Sequence, residues 1–371
     1  MDYLKRREKL YEWMDNEAID LVMLQDNELR RDTSIRWLTG QPGDALLFLS
    51  SEKKALLVPW DINVAKLYAS CDSMIPFPEY DCDPMKALGH ATNRLKILQG
   101  AKIEIPSCTP YPDFLQYVDK IPDYDIICRK EGAKSWIERL RMIKDDDEIS
   151  VYRALSALTN QIIDAIEQNV QDGRLKTETD IAMFIEYEAR KLDCEGTGFT
   201  TLSAGAERSF GIHAFPSYTA AAFAGPGLSI LDFGIVYHGY TSDVTMTFAR
   251  GPLSKSQEAR LDLVTKAFDL ALSKVKDGAS CKSIAQSVDT LFKKSRCSMP
   301  HGLGHGIGLQ PHEAPFLRSR SEEEWKLAPG MIFTIEPGLY HPVEGGCRLE
   351  NDILLTENGA EVLTRSKIVR L

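Results

Sequence analysis

Between His301 and Pro315 the chain reads HGLGHGIGLQPHEAP, and this run limits the fold more than any other stretch. Three of the seven histidines lie in it, set among glycines at 302, 304, 306 and 308. Each glycine weakens a helix by roughly 1 kcal/mol, so the i,i+4 pair His301/His305 does not predict one helical face. The spacing predicts a loop or an irregular strand. Glycine there lets backbone approach another group closely, and histidines held in such a place can serve as metal ligands, proton carriers or hydrogen-bond donors. The glycines fit neither the dinucleotide spacing G-x-G-x-x-G nor a phosphate loop. His312-Glu313 is not the start of a zincin helix, because Phe316 stands where the second histidine is needed.

At 371 residues the chain has room for two domains. With 43% hydrophobic and 26% charged residues it reads as globular throughout. A formal charge of -10 leaves no basic face of the kind that counterion release from nucleic acid requires, so no nucleic-acid partner is expected. The eight cysteines form no C-x-x-C pair and read as reduced thiols. The opening MDYLKRREKLYEW is charged where a signal peptide would be apolar, and no run approaches a membrane span, so a cytoplasmic protein without a membrane partner is predicted.

Residues 1–130 alternate short strands (19–24, 45–49, 55–58, 102–105 and 125–127) with amphipathic stretches such as 85–98, which predicts a smaller α/β domain. A connection is expected over 129–133, with a second domain over 131–371. The second domain opens on a helix over 147–171 whose apolar positions recur at helical spacing. Thr177/Asp180 and Ser254/Gln257 predict capping boxes for two more helices, the latter running to Lys276, and a shorter helix is expected over 283–294. Strands predicted over 200–203, 229–236, 241–249, 331–336, 347–355 and 361–364 make this domain α+β, in two similar halves with the site between them.

The carboxylates concentrate in those strands. Ile230-Leu231-Asp232-Phe233-Gly234 and Ser242-Asp243-Val244-Thr245 read as a hairpin turning near Tyr237-His238, which would set Asp232 directly opposite Asp243 with Cβ atoms roughly 4.5 to 5.5 Å apart. Two carboxylates so close call for a protonated member or a cation between them. Glu336 ends one apolar strand and Glu350 interrupts another, positions costly for a lone charge.

In order and spacing these motifs resemble the pita-bread metallopeptidases, the family of methionine aminopeptidase, Xaa-Pro aminopeptidase, prolidase and creatinase, and most closely the Xaa-Pro branch. The resemblance rests on L-D-F-G, G-Y-T-S-D-V-T, H-G-L-G-H-G-I-G-x-x-x-H-E, T-I-E-P-G and R-L-E-N-D in the second domain. In the first domain it rests on Trp37-Leu38-Thr39-Gly40, and in the joining helix on Arg141, Lys144, Glu148 and Ile149. It implies a pita-bread catalytic domain preceded by a creatinase-type α/β domain. Asp232, Asp243, His305, Glu336 and Glu350 would hold two divalent ions, manganese first and cobalt or zinc as alternatives.

The resemblance further implies hydrolysis of the bond between an N-terminal residue and proline in peptide substrates, and a homodimer. Glu336 would also carry the proton of the attacking water, His301 and His312 would donate hydrogen bonds to substrate and oxyanion, His213 would contact the scissile amide, and Arg348 would orient the carboxylates. Met246 stands where an arginine often follows Ser-Asp-x-Thr, and Gln310-Pro311 replaces an acidic-apolar pair before His312, both on the substrate side. Arg318 and Arg320 are candidates for binding the free carboxylate of a dipeptide; the alternative is a solvated basic loop neutralised by Glu322, Glu323 and Glu324. A same-fold hydrolase of another C–N bond and a silent binding module are the rival readings. The second would be marked by a lost ligand, and none is lost.

Overall fold

The computed structural model describes residues Met1–Leu371, which form two compact units, Met1–Leu140 and Arg141–Leu371. Each has its own core, and the division falls ten residues beyond the 130/131 expected, because the helix Ala133–Arg141 lies almost wholly in the first unit.

In the first unit a six-stranded sheet runs in the order Ser73–Met74, Ala55–Pro59, Ala45–Ser50, Leu21–Asp26, Lys102–Glu104, Asp125–Ile127. The three longest strands pair antiparallel and the short outer ones parallel. ALLFLS and ALLVP are buried at every position, as an unbroken apolar run requires of a strand covered on both faces. The helix Pro84–Arg94 starts from the Asp83 side chain, which accepts from the Met85 and Lys86 amides, and lays Ala87, Leu88 and Ala91 into the sheet's core. It stops four residues short of the expected end, where Lys96 takes a positive φ.

The second unit opens on the helix Asp146–Gln171, fixed at its start by a capping box between Asp145 and Glu148. Capping boxes at Thr177/Asp180 and Ser254/Gln257 likewise start the helices Glu178–Lys191 and Lys255–Leu272. The last of these ends at Leu272 instead of Lys276, before a turn that closes at Gly278 with φ 71°. Cys281–Lys294 completes the set.

Two sheets carry the site. One runs Ile368–Arg370, Val244–Arg250, Gly227–Phe233, Leu202–Ala204; the other runs Glu313–Leu317, Gly304–Gly306, Ile332–Ile335, Asn351–Thr356, Gly359–Val362. The first helix pair packs Leu155, Ile162, Ile185 and neighbours against Leu231, Phe233, Val244 and Phe248. The second pair packs Val264, Phe268, Val288 and Phe292 against Phe333, Ile335 and Ile353. An isolated bridge between Thr245 and Glu350, the residue just before Asn351–Thr356, links the two sheets. Truncating Phe333 to alanine in this core would cost about 3 to 5 kcal/mol.

The expected register needs correction. The hairpin turns at His238-Gly239, both at positive φ, one residue later than the sequence predicts. Asp232 therefore faces Thr245, and Asp243 lies outside the paired strand, two positions along from that partner. The two aspartates are diagonal neighbours, not an opposed pair. The glycine run behaves as an irregular strand: Gly304–Gly306 pairs on both sides with a shift of register after His305. A Cβ at Gly304 would fall 2.0 Å from the Thr334 carbonyl oxygen, and one at Gly306 would fall 2.1 Å from that of Ala314. Only glycine lets this strand lie between its neighbours.

Candidate metal centre

Four strands each place one donor, within the strand or at its end. Asp232 is the penultimate residue of Gly227–Phe233, Asp243 precedes Val244–Arg250, His305 is the middle residue of Gly304–Gly306, and Glu336 follows Ile332–Ile335. Glu350 sits in the break between Gly345–Arg348 and Asn351–Thr356, its amide bonded to the Thr245 carbonyl at 3.2 Å. Three donor triads result: Asp243/His305/His312, His305/Glu336/Glu350 and Asp232/Asp243/Glu350, each with its ligand atoms within 4.8 Å of one another.

All nine residues expected at the site line one cavity of about 500 Å³. Arg318 lines it as well, its guanidinium 4.5 Å from the centre of the Phe316 ring, while Arg320 is exposed and takes no part in the lining.

The electrostatics show what the donors lack. Burial, followed by the charges of Glu350 and Asp232, pushes Asp243 well above the ordinary aspartate range. Burial and Asp232 push Glu350 up to about 7, and burial and Glu350 raise Glu336. Arg348 brings one positive charge against these four carboxylates. Its Nη2 donates to Asp232 Oδ2, and its Nε donates at 2.9 Å to the Thr245 hydroxyl, which in turn donates to Glu350 Oε2 at 2.6 Å. Asp232 Oδ1 is buried and has no hydrogen-bond partner.

His305 adds a lone pair to the same space. Its Nδ1 faces the Gly306 carbonyl at 3.1 Å and so carries the proton, which leaves Nε2 unprotonated at 3.7 Å from both Asp243 Oδ2 and Glu336 Oε1. Burial and His312 hold its pKa down to about 3, so the ring stays neutral. An orphaned carboxylate oxygen, mutually repelling carboxylates and an imidazole lone pair aimed at them fit divalent cations with oxygen-rich ligation.

The histidines on the cavity wall divide by what their nitrogens already do. His301 Nδ1 donates to the Gly302 carbonyl at 2.8 Å, and Nε2 accepts from the Tyr340 hydroxyl at 2.9 Å, so neither nitrogen is open to a ligand. His312 is exposed, with its ring centre 4.2 Å from that of His305, and His213 is exposed nearby.

Tyr340 and Thr245 escaped the sequence reading. Tyr340 pairs with Gly346, diagonal to Arg348, and its hydroxyl accepts from Arg348 Nη1 at 2.7 Å. Gly338 makes room for that contact, since a Cβ there would fall 2.6 Å from the Tyr340 oxygen. Alternation along Gly338–His341 places Gly338 and Tyr340 on one face, but no spacing in the sequence announces the opposing strand.

A buried set of carboxylates and one imidazole in an α+β domain of this topology defines a candidate metal-binding scaffold. Residues 150–357 match metallopeptidase family M24, and residues 6–143 match the Creatinase/Prolidase N-terminal domain. The chain belongs to this M24 family and has the pita-bread architecture with the N-terminal domain expected of it. It is 27% identical over 374 residues to the Xaa-Pro dipeptidase of Pyrococcus horikoshii, covering 99% of each chain. Among solved structures it resembles the X-Pro aminopeptidase from Thermotoga maritima, with 26% identity, a TM-score of 0.84 and coverage of 98% of this chain and 99% of that one. The Xaa-Pro dipeptidase from Bacillus anthracis gives 25% identity and a TM-score of 0.84, with 100% of both chains covered. No helix is long and apolar enough to cross a membrane.

Proposed function

We propose that this protein hydrolyses the bond between an N-terminal residue and proline, using two divalent cations held by Asp232, Asp243, His305, Glu336 and Glu350, with manganese the first candidate. The overlap of the donor triads carries the reading: Asp243, His305 and Glu350 each belong to two of them, so the five donors form one continuous cluster with more ligands than a single ion would need. Similarity over nearly the whole chain to proteins named Xaa-Pro dipeptidase and X-Pro aminopeptidase supports the substrate class. When bound, two such ions acidify water and polarise a carbonyl.

The chain's own residues do the rest. Glu336, raised by burial, takes the proton of the attacking water and passes it toward the leaving nitrogen of proline. His312 and His213, exposed to the cavity, donate to the carbonyl oxygen as it gains charge and to the scissile amide. His301, with both ring nitrogens engaged, holds a fixed place 3.7 Å from Glu336 Oε2 instead of donating to substrate. Arg348 keeps Asp232 and, through Thr245, Glu350 in the ligating orientation.

Arg318 favours a dipeptidase over an open-ended aminopeptidase, because a guanidinium on the cavity wall can pair with the carboxylate that follows proline. Turnover of Ala-Pro, Ala-Pro-amide and Ala-Pro-Ala by the metal-loaded protein tests both parts. Cleavage of none of them, with another amide hydrolysed instead, would overturn the substrate class. Arg318→Ala should lower kcat/KM on Ala-Pro by about 2 kcal/mol or more and leave Ala-Pro-amide nearly unchanged. Equal loss on both substrates would remove the carboxylate role.

A further inference from the structure

A second group of buried charges lies in the same unit, on residues without a place in the mechanism above. Arg141 and Lys144 are each 3% exposed, Glu148 2% and Glu313 8%. Arg141 Nη2 donates to Glu313 Oε1. Lys144 Nζ lies 4.0 Å from Glu313 Oε2 and has no hydrogen-bond partner. Glu148 accepts from the Tyr240 hydroxyl at 2.8 Å and from the Asp145 amide at 3.0 Å. Two cations thus face two carboxylates, and a buried set of this kind holds its members in one arrangement.

What Glu313 does with that hold follows from the loop beside it. The strand Gly304–Gly306 has ended and Glu313–Leu317 has just begun, so residues 307–312 have no partner in the named strand ladders. Ile307 still donates to the Ile332 carbonyl at 3.1 Å and Gly308 accepts from the Thr241 amide at 3.0 Å, while the rest of the loop wraps the Glu313 carboxylate. The Gln310 amide donates to Oε1 at 2.9 Å, and a Cβ at Gly308 would fall 2.4 Å from Oε2. Gly308 also donates to the Gln310 carbonyl at 3.1 Å, closing the turn. His312 immediately precedes Glu313, and the placement of its ring beside His305 depends on where this loop sits.

We infer that Glu313, clamped by Arg141 and flanked by Lys144, is a positioning residue for His312. The inference rests on the peptidase reading for its kinetic consequence, but the clamp itself is a property of the chain alone. Its cations come from the joint between the two family-matched segments. Arg141 is near the end of the first, and Lys144 lies between them.

The test is a double-mutant cycle of Glu313→Gln with His312→Ala, read on the metal-loaded protein, alongside amide hydrogen exchange on the metal-free protein. Glu313→Gln alone should lower kcat by about tenfold with KM within about threefold, and in the His312→Ala background it should change kcat by less than about twofold. Exchange at Leu309, Gln310 and His312 should quicken by about tenfold or more. Arg141→Lys, which keeps the charge but loses the planar fork, repeats the test at smaller amplitude if Glu313→Gln does not fold. The same loss in both backgrounds, or unchanged exchange over 309–312, would overturn the inference. If the wild-type protein cleaves no Xaa-Pro peptide, the functional reading fails, while the exchange measurement still decides the clamp.

Discussion

The donor cluster and the Arg141/Lys144/Glu313/Glu148 cluster are both buried, both rich in carboxylate and both inside one unit, yet their charges are treated oppositely. Around Glu313 the chain supplies its own cations, and the charges face one another at contact distance. Around Glu350 it supplies Arg348 and otherwise leaves carboxylates to raise one another's pKa. Burying charge without a partner is costly, so the second arrangement needs either a protonated carboxyl or a cation from outside. The balanced cluster belongs to the architecture; the unbalanced one marks the place that a cation would fill.

The largest test breaks the unbalanced cluster outright. Prolonged chelation should abolish turnover and added Mn²⁺ or Co²⁺ should restore it, with a higher melting temperature on reloading, because ions that bind the folded state stabilise it by mass action. Full activity in protein shown to be metal-free would refute the comparison. Next in size, Glu336→Gln should lower kcat by about two to four orders of magnitude; a change confined to KM would deny the carboxylate its proton-carrying duty.

A smaller effect contrasts the clusters directly in metal-free protein. Glu313→Gln leaves Arg141 and Lys144 short of a counter-charge and should destabilise the fold by about 3 kcal/mol in denaturant titration, whereas Asp243→Asn relieves repulsion and should stabilise it by about 1 kcal/mol. Loss of stability in both variants would mean that the donors are not in mutual repulsion.

The smallest test is the pH profile. Burial and Asp232 raise Glu350 from 4.5 to about 7 in the folded chain, so folding favours its protonated form. The stability this contributes is complete below about pH 4.5 and is lost as pH rises through about 7. The melting temperature of the metal-free protein should fall across that window, and the metal-loaded protein should lack this component of the fall.

How much of this was legible in the sequence depended on the range of each interaction. Capping boxes at Thr177 and Ser254 read correctly because three-residue spacing alone determines them. The donor residues could be picked out for their clustering because each sits in a short motif whose apolar flanks announce a strand. The hairpin register slipped because His238 takes a positive φ of 49° that histidine does not advertise, which moved the turn by one residue and turned opposed aspartates into diagonal ones. Glu313 and Arg141, 172 residues apart, meet through tertiary packing that no local pattern encodes. His301 was expected to donate to substrate because its sequence neighbourhood says nothing of Tyr340, which occupies its Nε2.

Gly304 carries a warning for anyone mapping this protein by mutational tolerance. It offers no side-chain atom to a ligand, yet any β-carbon there would meet the Thr334 carbonyl and push the His305 strand out of its slot. A saturation scan would rank it beside Glu336 as indispensable, and only the cause of failure would tell them apart. Glu336 variants should fold and fail to turn over, while Gly304 variants should fail before there is a site to assay.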